Sequence, residues 1–138
     1  MIDLINSIKL KSIIPKDYIA KFDRDSVDSN TEINLKFNTE LMEPVNGDIE
    51  RVKLVFKATA EAYTADEKIF SLELTVDYIF EIVNKDIFDK LHGEEQSVLC
   101  SSICFLEFRK RLLNAMSNTG MSGLKLPLSL QELQNHEE

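Results

Sequence analysis

The sequence has no tryptophan, only four glycines and three prolines, and two cysteines in 138 residues. So little glycine leaves no phosphate-cradling loop, and neither a Gly-x-Ser-x-Gly elbow nor a His-Glu-x-x-His pair occurs. Cys100 and Cys104 lie four apart. Two cysteines cannot build a disulfide framework, and as metal ligands they would fill half of a tetrahedral shell, with His92 and His136 in no pattern that ties them to it. They are read as helix packing or exposed thiols, and no metal, cofactor or catalytic constellation is expected: nothing marks an enzyme. Basic residues are also short, 16 against 24 acidic, for a net charge of −8 and a pI near 4.8. That balance argues against nucleic acid or anionic lipid as a partner. No apolar run approaches the roughly 20 residues of a spanning helix, and the opening Met-Ile-Asp-Leu-Ile-Asn has no basic stretch before an apolar one. The expectation is a cytoplasmic, unprocessed protein with no membrane insertion.

What is present is ordinary for a folded chain: 43% hydrophobic and 29% charged residues, enough for one domain over 1–138. Between 50 and 63, Val52, Leu54, Phe56, Ala58, Ala60 and Ala62 hold even positions while Arg51, Lys53, Lys57, Thr59 and Glu61 hold odd ones. Period two predicts a strand buried on one face. Residues 69–83 repeat the rule from Phe70 to Ile82, and Thr64-Ala65-Asp66-Glu67 joins the two runs as a hairpin. Ile33, Leu35, Phe37, Thr39 and Leu41 alternate likewise, ahead of a loop with Pro44 and Asn46-Gly47. The first stretch is less regular. Ile2, Leu4, Ile8, Leu10 and Ile14 keep even parity, Ile5 and Ile13 break it, and Pro15 interrupts the ladder; a strand is predicted there, then a polar connection from Asp23 to Thr31. Two strands of about 14 residues exceed the usual three to ten and point to an extended subunit that assembles.

After Asn84 the pattern turns helical, with a short helix over 85–92 and a long one from Gln96 to Asn118. At 100° per residue its apolar positions, from Val98 to Met116, spread over roughly 240°, more than one sheet can cover. The excess predicts a second burial partner, most economically the same helix of another copy. Arg109 falls within that arc and calls for an ion-pair partner at an interface. Gly120 is a plausible left-handed cap. Leu124, Leu126, Leu128 and Leu130 alternate around Pro127, and Ser129-Leu130-Gln131-Glu132 has capping-box spacing for a short carboxy-terminal helix.

This order of strand, three-stranded meander, long helix, glycine-containing loop, leucine-alternating segment and short helix resembles the SecB protein-export chaperone family. Glu32-Ile33-Asn34-Leu35-Lys36-Phe37-Asn38-Thr39 is similar to the family's second strand, and Phe70-Ser71-Leu72-Glu73-Leu74 followed by Ile79-Phe80-Glu81-Ile82 to its fourth. Arg109 sits where the family's helix carries Arg, and Gly120 to Leu128 follow its loop into the last helix. The resemblance implies an α+β fold, a four-stranded antiparallel sheet packed on one long helix plus a short carboxy-terminal helix, assembled as a dimer of dimers. It implies an ATP-independent holdase for unfolded polypeptides, serving export. Client contacts would come from Leu35, Phe37, Leu41, Met42, Val45, Phe70, Met121, Leu124, Leu126, Leu128, Leu130 and Leu133. Asp17 and Glu73 match positions that contact the motor SecA. Phe105, Phe108, Arg109, Leu112 and Met116 would form the contact between copies in the homotetramer. The chain departs from the family in having Phe105-Leu106-Glu107-Phe108 in place of a Pro-Tyr pair before Arg109, and in lacking Trp. Such divergence also fits solitary SecB-like chaperones that guard an antitoxin. A different class, hot-dog-like enzymes or small-ligand carriers, shares a sheet wrapped on a helix, but no His or Asp at a strand end supplies its chemistry.

Overall fold

Alternation along two long strands sets the architecture. The computed structural model describes residues 2–22, 33–42, 51–64 and 67–118. The elements are α1 (Ile2–Ile5), β1 (Ile8–Phe22), β2 (Asn34–Met42), β3 (Arg51–Thr64), β4 (Glu67–Ile82), α2 (Lys85–Asp89) and α3 (Gly93–Asn118). The four strands form one antiparallel sheet in the order β1-β4-β3-β2, so β2, β3 and β4 are a meander and β1 returns to lie beside β4, a Greek key. Thr64 pairs with Glu67 across the β3–β4 turn, as the hairpin reading requires.

The even positions of β3 and β4 face α3. Leu54, Phe56, Ala58 and Ala60 have no exposed surface, nor have Tyr78 and Val76 opposite the first two, or Phe80 opposite Val52. The alanines of β3 let the backbone of α3 come close, and Phe56 fills the space between. Its ring stacks on Phe108 with centroids 4.2 Å apart and 17° between planes, and lies 6.2 Å from Phe105 and 6.5 Å from Tyr78. Two hydroxyls tie α3 down at its edges: Tyr78 donates to the Glu107 carboxylate, and Tyr18 donates to the Ala115 carbonyl at 3.2 Å. Glu107 also accepts from Arg111 one turn on.

The irregular amino-terminal pattern has a physical cause. β1 carries two bulges, which leave Lys11 and Lys16 outside the pairing register with β4. Each bulge flips the parity. The α3-facing positions are therefore Ile8 and Leu10, then Ile13 and Pro15, then Tyr18, Ala20 and Phe22, opposite Ile82, Phe80, Tyr78, Val76, Leu74, Leu72 and Phe70. Ile14, grouped by parity with Ile8, lies instead on the outer face opposite Asp77 and is 42% exposed. The strand also begins later than the pattern implied: Ile2 to Ile5 form a helical turn. Buried Ser7 joins that turn to the end of β4, donating to Leu4 O while its own carbonyl accepts from Val83 and Asn84.

At this same end of β4, Asn84 caps α2 by accepting from the Ile87 N–H at 3.3 Å. Expected to run to His92, α2 stops at Asp89. α3 starts three residues earlier than predicted, where the Glu95 carboxylate accepts from the His92 N–H. Cys100 and Cys104 are free thiols with no exposed surface, on the stripe that faces the sheet. Burial pushes the Cys100 thiol up to about 12 and raises Cys104 as well. Both should stay unmodified by a disulfide-exchange reagent at pH 8 in the native protein and react at once in denaturant; rapid native labelling would show that the helix does not lie on this sheet.

Candidate functional site

The sheet has two edges, and they are built differently. β1 is broken by two bulges and carries Pro15, Lys9, Lys11, Lys16 and Lys21, all features that discourage a further strand from pairing. β2 runs from Asn34 to Met42 in unbroken register with β3, without proline or bulge, and its only lysine is Lys36. Among the described residues β2 pairs on one side only, so its other side presents main-chain donors and acceptors in a row. Side chains on its inner face, Leu35, Phe37 and Leu41, are half-buried against the core. Phe37 forms the rim of the aromatic cluster: its ring lies 6.3 Å from Phe56, 6.4 Å from Phe105 and 6.3 Å from Phe108. The open strand edge therefore runs beside an incompletely covered aromatic and aliphatic wall.

α3 has two apolar faces, as its circumference requires. Cys100, Ser101, Cys104, Phe105, Phe108, Leu112, Ala115 and Met116 are buried on the sheet. At 100° per residue these span an arc of roughly 160°. A second row, Leu99, Ile103, Leu106 and Leu113, lies outside that arc, and Val98, at the angle of Met116, stands on its edge. Leu106 is 65% and Val98 44% exposed, and the other three are half-buried. This corrects the residues expected between copies. Phe105, Phe108, Leu112 and Met116 are at most 2% exposed in the single chain, so they have no surface left to give a partner. Arg109, half-buried, sits at the border of the two rows. The apolar excess is real, but it resides in the other row. The sequence arc gave its width but not its orientation, which depends on which positions meet the alanines of β3.

The remaining expected site residues divide three ways. Phe70, 1% exposed, belongs to the core and cannot touch a client in this state, whereas Met42 is 37% exposed. Met42 lies opposite Lys53 on the outer face, away from α3. Val45, Met121, Leu124, Leu126, Leu128, Leu130 and Leu133 lie outside the described residues, as do Gly120 and the carboxy-terminal helix. Asp17 and Glu73 are both on the outer sheet face; Asp17 is exposed, while Glu73 is held 3.0 Å from Lys57.

That outer face is a lattice of cross-strand pairs: Lys11–Glu81 at 2.9 Å, Lys57–Glu73 at 3.0 Å and Lys68–Glu61 at 3.1 Å. Lys11 holds the Glu81 carboxyl below its ordinary range, and Lys68 does the same for Glu61. Both groups thus favour the folded state above the usual carboxylate pKa, and the benefit fades as pH falls through the lowered values; exposure keeps it small. Sequence reasoning passed over the contrast between the edges, whose signal was the run of lysines and Pro15 in β1 alone.

No family model matches the sequence, and no curated protein matches it. Among solved structures, the chain is similar to a SecB-like chaperone of Mycobacterium tuberculosis in complex with a ChAD peptide from the HigA1 antitoxin. The TM-score is 0.65 at 11% identity, over 92% of this chain and 93% of that one. A Streptococcus agalactiae protein of unknown function, 12% identical over 88% of this chain and 96% of its own, has a TM-score of 0.39. The chain has the α+β fold of a SecB-like chaperone. At so low an identity the likeness is one of fold.

The rim position of Phe37 has an energetic signature. Phe37→Ala should cost about 1–2 kcal/mol and Phe56→Ala about 3–5 kcal/mol in urea unfolding, because only the second opens a closed cavity. Equal costs would place Phe37 in the core and close the wall beside β2.

Proposed function

We propose that this protein is an ATP-independent holdase that binds unfolded polypeptide segments along β2. The observation that carries the reading is the open β2 edge beside the half-covered Leu35, Phe37 and Leu41, on a fold shared with a SecB-like chaperone. An extended segment laid against that edge can hydrogen-bond through its main chain whatever its sequence, while every second side chain meets the apolar wall. Binding of that kind is tolerant of sequence, which is what a holdase needs. The leucine-alternating segment from Leu124 to Leu133, with Met121, would extend the wall, and the exposed row of α3 would join copies as a dimer of dimers.

A second reading is a chaperone dedicated to one partner. It is favoured by the antitoxin peptide held by the Mycobacterium tuberculosis relative in fold. Delivery of clients to SecA has less support, since Glu73 is occupied by Lys57 and Asp17 stands on a face rich in lysine.

Mixing the full chain with a chemically unfolded substrate should suppress its aggregation, measured by light scattering, at stoichiometric amounts and without nucleotide. No suppression of any substrate contradicts the general holdase; a single small protein that copurifies would then favour the dedicated one. Assembly has its own test. Leu106→Glu should lower the solution mass measured by light scattering with little change in unfolding midpoint, whereas a wild-type mass of 15.8 kDa would remove the case for a contact through α3.

A further inference from the structure

Both bulges of β1 do the same thing. Each inserts a lysine that escapes the ladder and turns to the outer sheet face: Lys11 Nζ lies 2.9 Å from Glu81 Oε2, and Lys16 Nζ 3.9 Å from Asp77 Oδ2. A bulge re-aims a side chain in this way. Lysines on an edge strand also keep other strands off, but that does not account for β3, an interior strand, which adds Arg51 and Lys53 to the same half of the face. Lys9 completes the set opposite Glu81. Among the described residues, five cations thus gather against four carboxylates, Asp17 beside Lys16 together with Glu40, Asp77 and Glu81, in a chain whose net charge is −8. Asp77 is 4% exposed and is shared between Lys16 and Lys53, both at 3.9 Å, so neither ammonium is saturated by it. Ile14 and Met42, 42% and 37% exposed, lie within the patch, with Val55 and Ile79 half-buried between them. Exposed apolar side chains interleaved with unsaturated charge offer both kinds of contact that a protein interface uses.

We propose that this half of the outer face is a docking surface for an acidic, partly apolar protein segment. Charge complementarity selects the occupant. A phosphate backbone would meet four interleaved carboxylates and a chain that is acidic as a whole, and only one of the five cations is an arginine. A second copy docked by the same face would set like charge against like. The surface lies on the opposite side of the sheet from the wall beside β2, so this inference stands apart from the client-binding reading.

The test uses fluorescence anisotropy with the full chain and four labelled probes. These are a synthetic peptide of about ten residues alternating Glu and Leu, long enough to cross the face at 3.3 Å per residue; its Lys and Leu counterpart; a single-stranded DNA oligonucleotide; and phosphatidylserine–phosphatidylcholine vesicles. The acidic peptide should bind best, and less tightly as salt rises. Lys9→Glu with Lys16→Glu should weaken it about tenfold and improve binding of the lysine peptide, while Lys21→Glu with Lys36→Glu, on the other half of the face, should change it less than about threefold. If the first pair fails to fold, Lys9→Glu alone at an exposed position should shift both peptides in the same directions. No binding of the acidic peptide, equal binding of the two peptides, tighter binding of DNA or vesicles, or equal effects of the two variant pairs would overturn the proposal.

Discussion

The seating of α3 on the inner face of the sheet, where Phe56 of β3 stacks on Phe108, decides what the rest of the molecule can do. Ala58, Ala60 and Ala62 leave room for the helix, and Phe56, stacked on Phe108, fixes its rotation about its own axis. Once that rotation is set, eight residues of the helix are committed to the sheet, and Leu99, Ile103, Leu106 and Leu113 are left outside the arc those eight span. Tyr78 and Tyr18 reinforce the choice from the two flanks by bonding to Glu107 and to the Ala115 carbonyl. Burial holds the Tyr78 hydroxyl well above its ordinary pKa, so it remains a donor to the Glu107 carboxylate throughout the physiological range.

The sheet faces three environments, and its composition differs in each. The inner face is apolar and closed over β3 and β4. The outer face is a charged lattice, enriched in lysine where β1 bulges. The edges are unequal: β1 is guarded, and among the described residues β2 pairs on one side only. A sheet whose edge strands were both undefended would risk pairing with its own copies. Defending β1 while leaving β2 plain confines strand addition to one line, and Phe37 with the leucines of β2 puts an apolar wall along that line.

Much of this was legible in the sequence because two of its patterns are strong. Alternation from Phe70 to Ile82 in β4, broken at Ile79, and from Val52 to Ala62 in β3, broken at Val55, points to long half-buried strands, and the excess apolar width of α3 is visible as an arc. The errors came where a pattern carries no phase. Parity in β1 could not be followed through Lys11 and Lys16, since a bulge is a property of pairing with β4 rather than of β1 itself, and Ile13 and Ile14 were exchanged between faces as a result. The arc of α3 likewise has a width but no origin, which is why Phe105, Phe108, Leu112 and Met116 were assigned to a partner when they meet the chain's own sheet. Charge on the outer face was hidden by the net acidity of the whole chain: a sum over 138 residues conceals five cations brought together from two separate strands, β1 and β3.

The account stands on β2 as the strand that receives unfolded polypeptide. Amide hydrogen exchange along Asn34–Met42, with and without an unfolded substrate, tests it directly, since the alternate amides that do not bond to β3 face the open edge. Slowed exchange at those amides on adding substrate, with β1 unchanged, is the predicted result. Exchange in β2 that is indifferent to substrate, or protection confined to β1, would contradict it.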